Sequence, residues 1–172
     1  MEVNRPNRIL ETKKDQPQEA GVIRNLNKQH DFDLMFLEMC FLISQRSRAK
    51  RNQVGAIITK DNRPISLGYN GTPVGFDNAC EGADGETLET VVHAEVNAIC
   101  FLARTHESTE GTTIYSTLAP CSSCARMIIQ AGIKRVVYRN RYRYDSGVDI
   151  LKEANLEVIR LHPRYTDLKN DK

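Results

Sequence analysis

The spacing of apolar positions changes several times along the chain, and each change marks an element. Residues 1–30 are polar and mixed in charge, broken by Pro6, Pro17 and Gly21, and are expected to form an extension, partly disordered or draped over a neighbour. At Asp31, a residue suited to capping a helix, the pattern shifts. Apolar side chains at Leu34, Leu37 and Phe41 predict a helix over 31–44. The run Arg46-Ser47-Arg48-Ala49-Lys50-Arg51 reads as a basic loop. Short runs at 54–59 and 64–69 flank a turn at Asp61-Asn62 and predict a β-hairpin, since both arms are too short for a buried helix. Residues 70–88 carry Gly71, Gly75, Gly82 and Gly85 among Asp77, Glu81, Asp84 and Glu86. A loop of that length in a compact domain is more often functional than filler.

Helical spacing returns over 89–103, with Val92, Val96, Ile99 and Leu102 on one side. A strand over 112–118 is stopped by Pro120, and a helix over 121–131 ends at Gly132, a natural C-terminal cap. A strand over 134–139, a helix over 148–154 and a strand over 156–161 complete the pattern, and the tail from His162 is polar. Alternating strands and helices predict βαβ units, while the hairpin adds an antiparallel pair. The expected fold is α/β: a three-layer α/β/α sandwich with a mixed, about five-stranded central sheet, occupying 31–172 as one domain.

Composition narrows the function. The chain has 172 residues, 40% apolar and 27% charged, as expected of a globular protein. Its 24 basic and 22 acidic side chains leave a net charge of +2, too near neutral to predict binding to nucleic acid or a membrane surface. The longest apolar stretch, 34–43, is interrupted by Glu38 and falls short of the ~20 residues that span a bilayer. The five cysteines are Cys40, Cys80, Cys100, Cys121 and Cys124. An odd count with no apolar leader pattern points to reduced thiols and a cytoplasmic setting, the host's if the chain is viral.

The chemistry concentrates in two motifs, His93-Ala94-Glu95 and Pro120-Cys121-Ser122-Ser123-Cys124, each at an expected helix start. Cysteines three apart in a first helical turn project to one side, and a helix N-terminus favours thiolate, the form that binds metal. His93 would supply a third ligand. Three protein ligands leave a tetrahedral zinc one position for water, and sulfur with imidazole selects zinc over magnesium or calcium. Glu95, two residues from His93, is placed to move protons rather than to ligate. His-x-Glu followed by Pro-Cys-x-x-Cys is the recognised signature of zinc nucleobase deaminases.

Beyond these motifs, Gly68-Tyr69-Asn70-Gly71, the Ser47…Val54-Gly55-Ala56 stretch and Gln130-Ala131-Gly132-Ile133-Lys134 resemble the deoxycytidylate deaminase family, a likeness that runs from about 31 to 161. The resemblance implies a cytidine deaminase-like fold and hydrolysis of dCMP to dUMP and ammonia, feeding thymidylate synthesis. It also implies a homo-hexamer activated by dCTP and inhibited by dTTP. On this resemblance His93, Cys121 and Cys124 match the zinc ligands and Glu95 the proton shuttle. Asn70, with Ala94, falls at the nucleoside contacts. Arg46, Ser47, Tyr142 and Arg143 fall where the 5′-phosphate is gathered. Gly71, Asp77, Glu81, Lys50 and Arg51 fall near the effector site, where a Mg²⁺ carried on the triphosphate could meet Asp77 and Glu81.

Plainer readings stand beside these. Cys121 and Cys124 could be a redox pair or half of a structural zinc site. The 46–51 run could be a solvated face, Tyr142 and Arg143 an exposed loop, and Asp77 and Glu81 solvated acids. Cys40 and Cys100 are expected in the core, Cys80 as a buried thiol or a second-metal ligand, and His30, His106 and His162 at the surface. Two rival functions are a deaminase of tRNA adenosine or free nucleosides, and a zinc-stabilised binding module without catalysis.

Overall fold

The computed structural model describes residues 18–161, with side chains from residue 28 onward. Most of the 1–30 extension, and the tail including His162, lie outside the described residues. Five strands, β1 (Gly55–Lys60), β2 (Arg63–Tyr69), β3 (Thr113–Leu118), β4 (Arg135–Asn140) and β5 (Glu157–Arg160), form one sheet in the order β2-β1-β3-β4-β5. β1 is antiparallel to β2 and β3, whereas β3, β4 and β5 run parallel, so the sheet is mixed as expected. The helices are α1 (Gln18–Ser44), α2 (Ala94–Leu102), α3 (Ser122–Gln130) and α4 (Ser146–Glu153).

Adjacent residues on the central strands face opposite layers, and both are buried. Ile57, Tyr115 and Val137 pack with Phe36, Leu37 and Cys40 of α1. Their neighbours Ile58, Ile114 and Val136 pack with Ala98 and Leu102 of α2, Ala125 and Ile128 of α3 and Leu151 of α4. Burial on both faces explains why these strands read as continuous apolar runs without alternation. Each large side chain so enclosed contributes about 1.5–3 kcal/mol.

An ion pair fastens α1 across the sheet. Arg135 of β4 donates through Nη1 to Asp33 Oδ1 (2.8 Å) and through Nη2 to Oδ2 (2.7 Å). Tyr115 Oη donates to Asp33 Oδ1 at 2.8 Å, and Arg135 Nε lies 3.1 Å from Glu157 Oε1. Burial alone would raise the Asp33 carboxyl, but the hydrogen bonds, led by those from Arg135, outweigh it and hold Asp33 below its ordinary value.

Two boundaries and one burial differ from expectation. Helix α1 begins at Gln18, so Asp31 lies within it and caps nothing. Helix α2 begins at Ala94, five residues later than its apolar spacing suggests. Val92 instead pairs with Gly71, donating to its carbonyl at 2.9 Å and accepting from its N–H at 3.1 Å, a use of backbone that suits a β-branched residue. The buried stripe of α2 is therefore Ala94, Glu95, Ala98 and Leu102, which leaves Cys100 exposed, contrary to its expected place in the core. Cys40 is in the core as expected, and His30 and His106 are exposed. Among the described residues no helix is long and apolar enough to cross a membrane.

Candidate active site

Both motifs begin on an extended residue and continue into a helical turn. His93 is the N-cap of α2 (φ −68°, ψ 155°) and Cys121 the N-cap of α3 (φ −72°, ψ 169°), and neither side chain caps its own helix. Two close backbone approaches fix where these helices start. A Cβ on Gly68 of β2 would lie 2.4 Å from Ala94 O, and one on Gly147 of α4 would lie 2.0 Å from Pro120 O. Glycine lets β2 seat the start of α2, and lets α4 press on the turn that carries Cys121. Asn97 Nδ2 donates to Tyr69 O (2.8 Å), Ser66 Oγ donates to Ala98 O (2.7 Å), and the hydroxyls of Ser122 and Ser146 lie 2.8 Å apart.

The result brings the two motifs together. His93 Nδ1 lies 3.5 Å from Cys121 Sγ and 3.3 Å from Cys124 Sγ, and the three candidate ligand atoms all fall within 4.8 Å of one another. Tetrahedral zinc with imidazole and thiolate ligands calls for N–S separations of about 3.6 Å, so the spacing and the donor chemistry both fit that ion. Among the described residues this is the one group of three or more His, Cys, Asp or Glu side chains able to hold a metal. Cys80 is buried, its thiol pushed up first by burial and then by Glu81, and it joins no such group.

Proton positions follow from the same contacts. The hydrogen bond from Cys124 is the largest influence holding Cys121 below the usual thiol range, with His93 adding to it, while Cys124 is correspondingly raised. His93 is raised, chiefly by its hydrogen bond to Cys121. Glu95 is 4% exposed and its Oε2 lies 3.7 Å from Cys124 Sγ. Burial pushes its carboxyl up, toward the form that can carry a proton to a substrate atom.

A cavity of about 560 Å³, mouth included, opens over this group, with His93, Glu95 and Cys121 in its lining. Of the residues expected at the substrate, Asn70, Ala94 and Tyr142 also line it. The Asn70 amide is partly committed: Oδ1 accepts from Val54 N (2.8 Å) and Nδ2 donates to Asn52 O (2.9 Å). Ser47 is buried behind it and donates to Asn70 O at 2.8 Å, so its hydroxyl proton organises the loop. Arg143 lies in a second recess that shares Asn52, Leu118 and Tyr142 with the cavity and adds Arg51 and Arg141. The Arg143 guanidinium sits over the Tyr142 and Tyr144 rings, 5.7 and 5.5 Å from their centroids. Arg46 is exposed and lines neither space.

The residues expected at an effector site are scattered in role. Gly71 pairs with Val92, exposed Asp77 accepts from Ala79 N at 3.3 Å, and Glu81 lines the cavity. Lys50 and Arg51 are exposed, and Arg51 is paired with Glu86. Asn52, Thr87, Val91 and Leu118 are lining residues with no signal in the sequence, because they come from separate loops and from the end of β3 and meet only in the fold.

A mixed sheet with the two motifs facing one another at the starts of α2 and α3 defines a zinc-dependent deaminase of the nucleobase class. Residues 30–140 match the cytidine and deoxycytidylate deaminase zinc-binding region, and the chain belongs to that family. It is 35% identical to the deoxycytidylate deaminase of Enterobacteria phage T4, over 73% of this chain and 87% of that protein. It is 37% identical to ComE operon protein 2 of Bacillus subtilis, over 78% and 75%. Among solved structures, the dCMP deaminase of cyanophage S-TIM5, determined with dCMP and dUMP, superposes with a TM-score of 0.72 at 38% identity. That match covers 86% of this chain and 99% of that one.

Proposed function

We propose that this chain hydrolyses dCMP to dUMP and ammonia, supplying dUMP for thymidylate synthesis. The observation that carries the reading is the burial of Glu95 beside the His93–Cys121–Cys124 group at the floor of a cavity whose neighbouring recess gathers three arginines. His93 and the two cysteine sulfurs would hold a zinc ion, which when bound would supply an activated water at neutral pH. The chain's own groups do the rest. The cavity admits the pyrimidine and its sugar, and Asn70 keeps one amide proton and one lone pair for the ligand. Glu95 takes one proton of the attacking water and delivers it to N3, then takes the second from the hydroxyl formed at C4 and passes it to the departing amino group. Water is consumed, ammonia leaves, and C4 becomes a carbonyl. Arg143 and Tyr142 stand at the phosphate end, together with Arg51 and Arg141.

The decisive experiment is steady-state deamination of dCMP, deoxycytidine and an RNA hairpin adenosine, with zinc determined on the same sample. Preference for dCMP, with metal near one equivalent per chain, is the expected result, and turnover confined to either alternative overturns the proposal. Cys121→Ala is expected to lose both metal and activity. The reading extends, on the family's behaviour, to a homo-hexamer in the cytoplasm, activated by dCTP and inhibited by dTTP with Mg²⁺ on the triphosphate. Light scattering, and rates with each triphosphate, test those parts separately; an unchanged rate removes the regulatory part alone.

A further inference from the structure

Two loops of opposite charge meet at the cavity mouth. Glu81 Oε1 accepts hydrogen bonds from the backbone N–H groups of Lys50 (2.9 Å) and Arg51 (3.2 Å). One residue on, Asn52 O accepts from Asn70 Nδ2 at 2.9 Å. The basic loop is thus gripped at adjacent points by a cavity-lining acid and a cavity-lining amide. The acidic loop can serve as an anchor because it is itself closed: Glu81 bridges to Thr87, Gly82 N donates to Glu86 O (2.9 Å), and Leu88 N donates to Cys80 O (3.0 Å). Glu86 meets the Arg51 guanidinium, which also donates to Gly85 O at 3.4 Å. The carboxylate of Glu81 is therefore engaged with two main-chain donors and not with the arginine side chains of the recess.

We propose that Glu81 is a positioning residue for the substrate's 5′-phosphate, holding the Lys50–Arg51 backbone so that Arg51 and Asn52 stand at the recess shared with Arg141 and Arg143. The proposal rests on the reading of the chain as a monophosphate deaminase. An arginine oriented before the ligand arrives loses less side-chain freedom on binding, so its contact with a doubly charged phosphate is stronger. Without the clamp, the 50–52 segment keeps Asn70 on its main chain and the Glu86 and Gly85 contacts of the Arg51 side chain. The nucleoside portion, which reaches the zinc group and Asn70, depends less on that segment than the phosphate does.

The test compares kcat/KM for dCMP with kcat/KM for deoxycytidine in the zinc-loaded full chain, for wild type, Glu81→Ala and Glu81→Gln. Glu81→Ala is expected to lower the dCMP-to-deoxycytidine ratio about tenfold, the scale of hydrogen bonds lost to a charged acceptor, mainly through KM for dCMP. Glu81→Gln keeps an acceptor oxygen and is expected to restore most of the ratio. A merely structural role would lower both substrates together, so a ratio at the wild-type value in Glu81→Ala overturns the proposal. Should the alanine chain not fold, Glu81→Asp, which keeps the charge but withdraws the acceptor by one methylene, is read the same way: a lowered ratio supports the proposal and an unchanged one overturns it. A wild-type chain without dCMP turnover overturns the functional reading itself, an outcome distinct from an unchanged ratio in an active enzyme.

Discussion

On the proposed reading, Glu95 and the three candidate ligands divide the chemistry between holding a cation and moving a proton. The division is set by burial and by which atoms face one another. His93 Nδ1 and the two sulfurs converge, whereas Glu95, with Oε2 3.7 Å from Cys124 Sγ, stands beside that group and not within it. Replacing Glu95 by Gln should therefore leave zinc content unchanged while lowering dCMP turnover by about 10³-fold, within the range of general acid–base catalysis. Metal analysis alongside initial rates checks this. The four residues were legible because His-x-Glu and Pro-Cys-x-x-Cys declare their chemistry in residue type and spacing. Ser47 was not legible in the same sense. Nothing in a serine between arginines distinguishes a phosphate contact from a hydroxyl that donates to Asn70 O.

Elements matter here through where they begin. The imidazole and the first thiol both sit on N-caps, so displacing either helix start moves a ligand. Gly147 is the sharpest case. A Cβ there would lie 2.0 Å from Pro120 O and 2.8 Å from Cys121 C, backbone atoms with no room to yield. Gly147→Ala should cost about 1–3 kcal/mol of stability by overpacking and weaken zinc retention with it. Gly71→Ala, with nothing within 4 Å of the added Cβ, should shift the thermal midpoint little. Thermal melts and zinc retained after dialysis check both. The order of strands and helices was readable because period and turn residues are local signals. The start of α2 was not, because the Gly71–Val92 bridge takes the backbone of a segment whose apolar spacing is helical.

Across the whole molecule the Asp33–Arg135 pair joins α1 to the sheet and couples its stability to pH. The folded Asp33 carboxyl is held below its unfolded value, so its contribution is present above the unfolded pKa of about 3.9 and is lost as pH falls through the lower folded value. Asp33→Asn leaves Arg135 without its bidentate partner and should destabilise the chain by about 3 kcal/mol at pH 7. Urea melts of both chains are expected to converge below pH 4, and a constant gap would contradict the pairing. The sequence by itself determined the class of fold, the group that could hold a metal and the acid beside it, because apolar period, turn chemistry and ligand spacing are properties of neighbouring residues. Only the tertiary structure decided how the loops share the cavity mouth: that Glu81 grips the backbone of the basic loop, that Arg51 and Arg141 join Arg143 while Arg46 stays outside, and that Asn70 braces the wall it lines. Those roles belong to hydrogen bonds between residues far apart in the chain, for which a glutamate or an arginine in a loop carries no local mark.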